Sequence, residues 1–429
     1  MIPWIDRLFM AFLFLLPVLP RPTAEGPEKW VVPAVCAGLI GAWLMFWPKK
    51  FKGGFGFQAL AMLMIFPIAA FTCRMVIESA TDELLQLVSR ILFGTTVFVL
   101  AHWLATTNVS FKLSFGCFFW GFILSGILAI GVSITGIQIL EPDSVKPSRY
   151  LGLHKTTGVF RSFGEFGIMG SVAWCYLLFF GNRFRWTTQF ICGSIILAAL
   201  LVAQSRNVYL VVVFATFFAV TLKYFEVGPA LKFLAATTIL LVPVAIEYSV
   251  PLLKANSIGR TLVGQENSIF ERNMEVRFDQ FNEGFELISQ DPMGSLAGHS
   301  RETWREFMLR KHGNYIAPHN HFLSNLLFLG LVGGTVWIVG LFLFPSWQLS
   351  QWANAQHPEA QFSLSILLCA IIGLSFYEGF FSLVVALVLA QAWNTMMDLG
   401  PVGSVQIRRE TSTTGNTDIA PFRQKEFAS

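Results

Sequence analysis

The chain has 429 residues, of which 54% are hydrophobic and only 13% charged. Soluble domains carry roughly 25% charged residues, so the composition excludes an ordinary soluble enzyme, and a formal charge of +4 is too small to argue for nucleic acid. A polytopic membrane protein remains, with one domain as the simplest count.

A spanning helix needs about 20 mostly apolar residues. That length predicts twelve spans: 4–20, 30–47, 56–76, 84–106, 112–134, 165–181, 187–204, 207–225, 231–250, 320–344, 362–377 and 380–398. The first apolar run ends Pro-Val-Leu-Pro without a small-residue cleavage site, so it is read as a retained span. The 43 Phe and 13 Trp suit lipid-facing helices and interfacial belts. Cys36, Cys73, Cys117, Cys175, Cys192 and Cys369 lie in or at the edges of apolar runs without CxxC spacing, as small buried hydrophobes do.

Basic residues in short loops mark the cytoplasmic side. Lys49, Lys50, Lys52, Lys112, Arg183, Arg185, Lys223 and Lys232 fall on one side together with the Arg408–Arg409 end. Loop 77–83 on the other side carries Glu78, Asp82, Glu83 and no base. Both termini are therefore expected in the cytoplasm. Residues 1–250 hold nine helices, 251–319 form an outer loop, 320–399 hold three more helices, and 400–429 form a disordered tail.

The outer loop is too long to lack structure of its own. Phe278, Phe281, Phe285 and Ile288 predict an amphipathic helix that Asp291-Pro292 and Gly294 end, and Trp304, Phe307 and Met308 predict a second over 301–311. These helices either lie on the membrane surface or cap the bundle. The loop's eight Lys and Arg are matched by seven Glu and two Asp, so an anion site there needs particular arginines.

Few residues are candidates for chemistry. Arg206 interrupts apolar sequence at a tight outer turn between spans seven and eight, where it either snorkels or binds an anion. Arg277 stands one residue before the amphipathic stripe, and Arg161 lies in Gly158-Val-Phe-Arg161-Ser-Phe-Gly164 ahead of span six. Arg90, within span four, needs a partner such as Glu165 or Glu378. His319-Asn320 opens span ten on its water side, and His321 points to another helical face as a structural residue. No His pair has zinc-motif spacing, and there is no P-loop, no G-x-S-x-G and no Asp-rich metal pair. Chemistry on the outer side must then be driven by an activated substrate, with no metal and no cofactor.

His319-Asn320, nine residues, Gly330, two residues, Gly333 resembles the H-[NSQ]-x9-G-x-x-[GTY] signature of the O-antigen ligase and O-antigen polymerase superfamily. Pro318, Ser205-Arg206, Arg277 upstream of Pro292-Met-Gly294, and the Gly158–Gly164 stretch are similar to further elements of that family. Ser-Leu-Ala-Gly298 departs from it, where relatives often read Gly-x-Gly. The resemblance implies an all-α polytopic membrane protein of about twelve transmembrane helices with a helical periplasmic loop, a metal-independent glycosyltransferase of the GT-C type in the bacterial inner membrane. Its donor would be a glycan on an undecaprenyl pyrophosphate carrier. Its acceptor would be a lipid A-core sugar in a ligase, or another lipid-linked glycan in an O-antigen or exopolysaccharide polymerase. Arg206 and Arg277 would hold the pyrophosphate, His319 would be the base, and Asn320 and Arg161 would support them. Gly330 and Gly333 are expected on one helical face, admitting a neighbouring helix. The rival of another class is a twelve-span secondary transporter. Loop Pro48-Lys-Lys-Phe-Lys-Gly53 lacks the charged Asp-Arg motif of major facilitator proteins.

Overall fold

The computed structural model describes residues 4–18, 31–45, 55–78, 84–107, 109–137, 146–147, 153–156, 163–203, 205–224, 280–313, 318, 320–354, 357–375 and 382–399. Within them the chain is almost wholly helical. Eight helices come first: α1 Trp4–Leu15, α2 Val31–Met45, α3 Phe55–Glu78, α4 Leu84–Thr106, α5 Phe111–Thr135, α6 Phe163–Phe180, α7 Trp186–Val202 and α8 Arg206–Tyr224. Each falls on an expected span. The ninth expected span, 231–250, and the tail beyond 399 lie outside the described residues.

Four described segments are long and apolar enough to cross a membrane: Phe111–Thr135, Phe163–Arg183, Gly330–Ala353 and Pro358–Ser375. Shorter apolar helices accompany them, Trp186–Val202 and Val208–Tyr224 among them. Trp186, Phe190, Leu201, Val213 and Phe217 are exposed on the outer faces of α7 and α8. Water would penalise such a surface and lipid would not. This is a multi-pass α-helical membrane protein.

Helix ends follow local chemistry. Ser110 caps α5, its Oγ accepting from the Leu113 amide at 3.4 Å, and Gly136 closes it at φ 68°. Helix α1 reaches α5 at Gly121, where a Cβ would strike the Phe14 carbonyl. A two-stranded hairpin pairs Lys146–Pro147 (β1) with His154–Lys155 (β2). It is tied to the end of α5 by the Ser133 hydroxyl donating to the His154 carbonyl at 2.7 Å.

Within the expected loop 251–319, the chain is helical at 280–290 (α9), Pro292–Ala297 (α10) and Arg301–His312 (α11). Asp291 does more than end a helix. Its Oδ1 accepts from the Gly294 amide at 2.9 Å and starts α10, with Pro292 in the first turn. Phe281 and Ile288 of the expected α9 stripe pack on the buried core, but that face is rotated at Phe285. Phe285 is exposed, whereas Gln280, Glu283 and Leu287 are buried. Two contacts cause the rotation: Glu283 binds His312 at the end of α11, and Gly284 admits Leu323. Trp304, Phe307 and Met308 are buried as expected, with Leu287, Leu323, Leu327 and Phe328 in a satellite core. The loop helices therefore cap the bundle.

The tenth expected span is not one helix. His321–Phe328 (α12) ends at Leu329, and Gly330–Ile338 (α13) starts with Gly330 at φ 76°. A Cβ on Gly334 would lie 2.7 Å from the Asn325 carbonyl oxygen. In a straight helix nine residues span about 13 Å, so α12 folds back on α13. Instead of sharing a packing face with Gly333, Gly330 is the corner. Helix α13 runs through a π turn at Val339–Leu343 into Phe344–Asn354 (α14). Pro358–Ser375 (α15) and Leu383–Leu399 (α16) follow, almost wholly buried at the centre. Cys36 is buried, Cys175, Cys192 and Cys369 are buried free thiols, and Cys117 is a half-buried free thiol.

Candidate functional site

Asn320 is the best-defined of the expected site residues. It is buried at the N-cap of α12. Its Oδ1 accepts from the Leu323 amide at 2.9 Å, and its Nδ2 donates to the Ser375 carbonyl, the last residue of α15, at 2.7 Å. Asn is among the best N-cap residues because its short side chain reaches an orphan amide of the first turn. Here the same amide group also binds an orphan carbonyl of a helix C-terminus. The start of α12 is thus fixed to the end of α15.

Two more contacts hold α12. The Arg90 Nη1 on α4 donates to the Asn325 Oδ1 at 3.3 Å. Among the described residues, Asn325 is one partner of Arg90. The Asn325 Nδ2 in turn donates to the His321 carbonyl at 2.9 Å, which sets which end of the amide faces Arg90. Glu165, the suggested partner, is buried in the first turn of α6 and accepts from the Ser382 hydroxyl at the start of α16. Glu378 lies outside the described residues. At the far end of α12, the His299 amide donates to the Leu327 carbonyl at 2.7 Å. Beside it Gly298 sits at φ 99°, and a Cβ there would be 2.6 Å from the Gly330 nitrogen. The loop meets the α12–α13 corner backbone against backbone.

Arg206 is the first residue of α8, after a short turn from α7, as expected from Ser205-Arg206 breaking the apolar run. The starts of α8 and α6 lie side by side, since a Cβ on Gly167 would be 3.2 Å from the Val208 Cα. A Cβ on Gly373, near the end of α15, would be 2.5 Å from Ile168 on α6. So the α8 start, the α6 start, the α15 end and the Asn320 cap form one continuous layer at one end of the bundle. The β2 hairpin joins the same end, the Thr156 amide donating to the Val202 carbonyl at 3.2 Å. His319, Arg277 and Arg161 lie outside the described residues. His321 is buried within α12, in keeping with a structural role.

Residues 191–338 match the sequence model of the O-antigen ligase family. The chain carries an O-antigen ligase family domain. That domain begins within α7, takes in Arg206, Arg277, His319 and Asn320, and closes with α13. Arg161 and helices α1 to α6 fall before it. No curated protein matches the chain. Within the O-antigen ligase family domain, sequence reasoning missed Asn325 and Gly298. Asn325 had a signal, since it is an amide in an apolar helix and such residues bind other helices. Gly298 had only its departure from the family's spacing.

The cap makes a first prediction. Asn320→Ala should destabilise the protein by about 0.5–2 kcal/mol from cap loss, and more through the exposed Ser375 carbonyl. Local hydrogen exchange should show the first-turn amides of α12 exchanging faster. Unchanged protection there would refute the cap's importance.

Proposed function

We propose that this protein is a glycosyltransferase acting at the periplasmic face of the bacterial inner membrane. It moves a glycan from an undecaprenyl pyrophosphate carrier to a sugar hydroxyl, with ligation onto lipid A-core as the leading reading. The observation that carries this is the O-antigen ligase family match over residues 191–338. Support comes from the layer that brings the α8 start and the Asn320 cap to one end of the bundle. The reading includes twelve spans, cytoplasmic termini and a GT-C architecture.

The chemistry follows from the donor. The acceptor oxygen attacks the anomeric carbon, and the bond from that carbon to the phosphate oxygen breaks. Polyprenyl pyrophosphate departs with the bonding pair, so no strong general acid is required. Arg206 and Arg277 face the charge that develops on it; planar guanidinium forks suit phosphate oxygens. Fixed donors of this kind act most strongly on transition-state charge. His319 takes the acceptor proton, and Asn320 holds the helix start beside it. Direct displacement inverts the anomeric centre and uses no metal. O-antigen or exopolysaccharide polymerisation is the alternative, because only the acceptor differs.

A chromosomal deletion tests the assignment through the lipopolysaccharide ladder. Free long polymer with bare core is expected. Core bearing a single repeat would assign an O-antigen polymerase instead, and an unaltered ladder would overturn both O-antigen readings and leave exopolysaccharide polymerisation, read from secreted polysaccharide. Complementation extends the test. Arg206→Ala and Arg277→Ala should each restore protein but not the ladder, with donor use reduced about 100-fold or more, as for loss of a fixed oxyanion donor. Full complementation by either would remove that arginine from the clamp.

A further inference from the structure

We propose that Arg90 is a positioning residue for the transfer reaction, acting through Asn325 to hold the helix whose N-cap directly follows His319. This rests on the reading of transfer from a lipid-linked donor.

Helix α12 is only eight residues long, too short to be stable alone. Its placement depends on what grips it. The satellite core grips one side through Leu323, Leu327 and Phe328. Asn320 secures its start to Ser375, and His299 secures its end. These contacts come from the outer loop and from α15. Arg90 supplies the link to α4, from a position 235 residues away in sequence.

The contact is built as a fixed one. Arg90 and Asn325 are both buried, at 6% and 1% exposure. The Asn325 amide cannot turn over without losing the His321 carbonyl, so its oxygen stays aimed at the guanidinium. The Asn325 backbone is held as well, its carbonyl accepting from the Leu329 amide at 2.9 Å and lying against Gly334. A charged donor to a neutral amide is stronger than a neutral pair, and a guanidinium has the reach to bridge from α4. A burial site this costly for charge is out of proportion to mere helix packing, which apolar side chains achieve. The position it fixes is the helix start that directly follows the proposed base in sequence. Small displacements of a reacting group cost rate steeply, while substrate affinity made elsewhere is kept.

The test uses purified full-length protein in phosphatidylethanolamine–phosphatidylglycerol nanodiscs, with a polyprenyl-pyrophosphate oligosaccharide as donor and lipid A-core as acceptor. R90M and N325L should each lower kcat at least tenfold with donor KM within twofold of wild type. The double variant should be no slower than the slower single, because both cut one link. R90K should recover part of kcat. Amide exchange at Leu323–Phe328 should quicken in R90M while α5 is unchanged. Wild-type kcat in R90M, multiplicative losses in the double variant, or a donor KM that rises with kcat preserved would each overturn the proposal. If R90M does not accumulate, R90Q, whose shorter amide falls short of Asn325, replaces it: lowered kcat at unchanged KM supports the link, and wild-type kcat overturns it. A wild-type protein that transfers nothing would sink the functional reading, and the exchange measurement would still decide whether Arg90 grips α12.

Discussion

His319→Ala is expected to reduce glycan transfer by about 100- to 10,000-fold, the usual contribution of a general base, while leaving membrane insertion intact. The acceptor hydroxyl is a poor nucleophile until its proton has somewhere to go, and the proposed clamp of Arg206 and Arg277 serves only the departing pyrophosphate. His319→Ala should therefore lose turnover and keep donor binding, whereas the arginine variants weaken both. Donor-binding measurements beside single-turnover assays separate the two. A His319→Ala protein with wild-type turnover would show that the acceptor is deprotonated by another group. The Asn320 cap is expected to survive this substitution, because its two hydrogen bonds go to the Leu323 amide and the Ser375 carbonyl.

Gly330→Val should be the most damaging structural substitution at the site. At φ 76° a β-branched residue is strained by about 1–3 kcal/mol. The new Cβ would also strike the Leu296 carbonyl and lie 2.6 Å from the Gly298 nitrogen. Neither contact can yield as a flexible side chain would, because both are backbone. The seam must open, and the His299–Leu327 hydrogen bond goes with it, a further loss of about 1 kcal/mol. Limited proteolysis should then cut α9 to α11 while the bundle keeps its melting temperature, and transfer should fall with it. Gly131→Ala is the control: nothing lies within 4 Å of a Cβ at that position, so protease resistance and activity should be retained. Equal protease resistance in Gly330→Val and wild type would contradict the seam.

The spans were legible because bilayer thickness sets their length, and α1 to α8 begin within a few residues of the apolar runs that predict them. The corner at Leu329–Gly330 was not. A glycine inside an apolar helical pattern reads as a packing residue, whereas Gly330 turns the corner at φ 76° with the backbone of Gly298, far back in the loop, packed against it. One position of the α9 face was misread for a similar reason. Periodicity grouped Phe285 with Phe281 and Ile288, which do pack on the satellite core, but the buried side takes in Glu283, bound to His312, and leaves Phe285 out. Arg90 was recognised as needing a partner, and the structure adds the Asn325 amide to the acids that charge logic pointed to. At the site, the Ser-Arg break located Arg206 at a helix start, and the polar-to-apolar boundary located the Asn320 cap. The roles of His319, Arg277 and Arg161 stand on sequence and family resemblance.

The fold-back of α12 bears on biogenesis. Gly330–Ala353 is long enough to insert as a hairpin partner of α15 during synthesis, but one side of α12 is covered only once Trp304, Phe307 and Met308 have folded over it. On the proposed function, the turn that carries the base is then completed only after the loop helices have packed on α12.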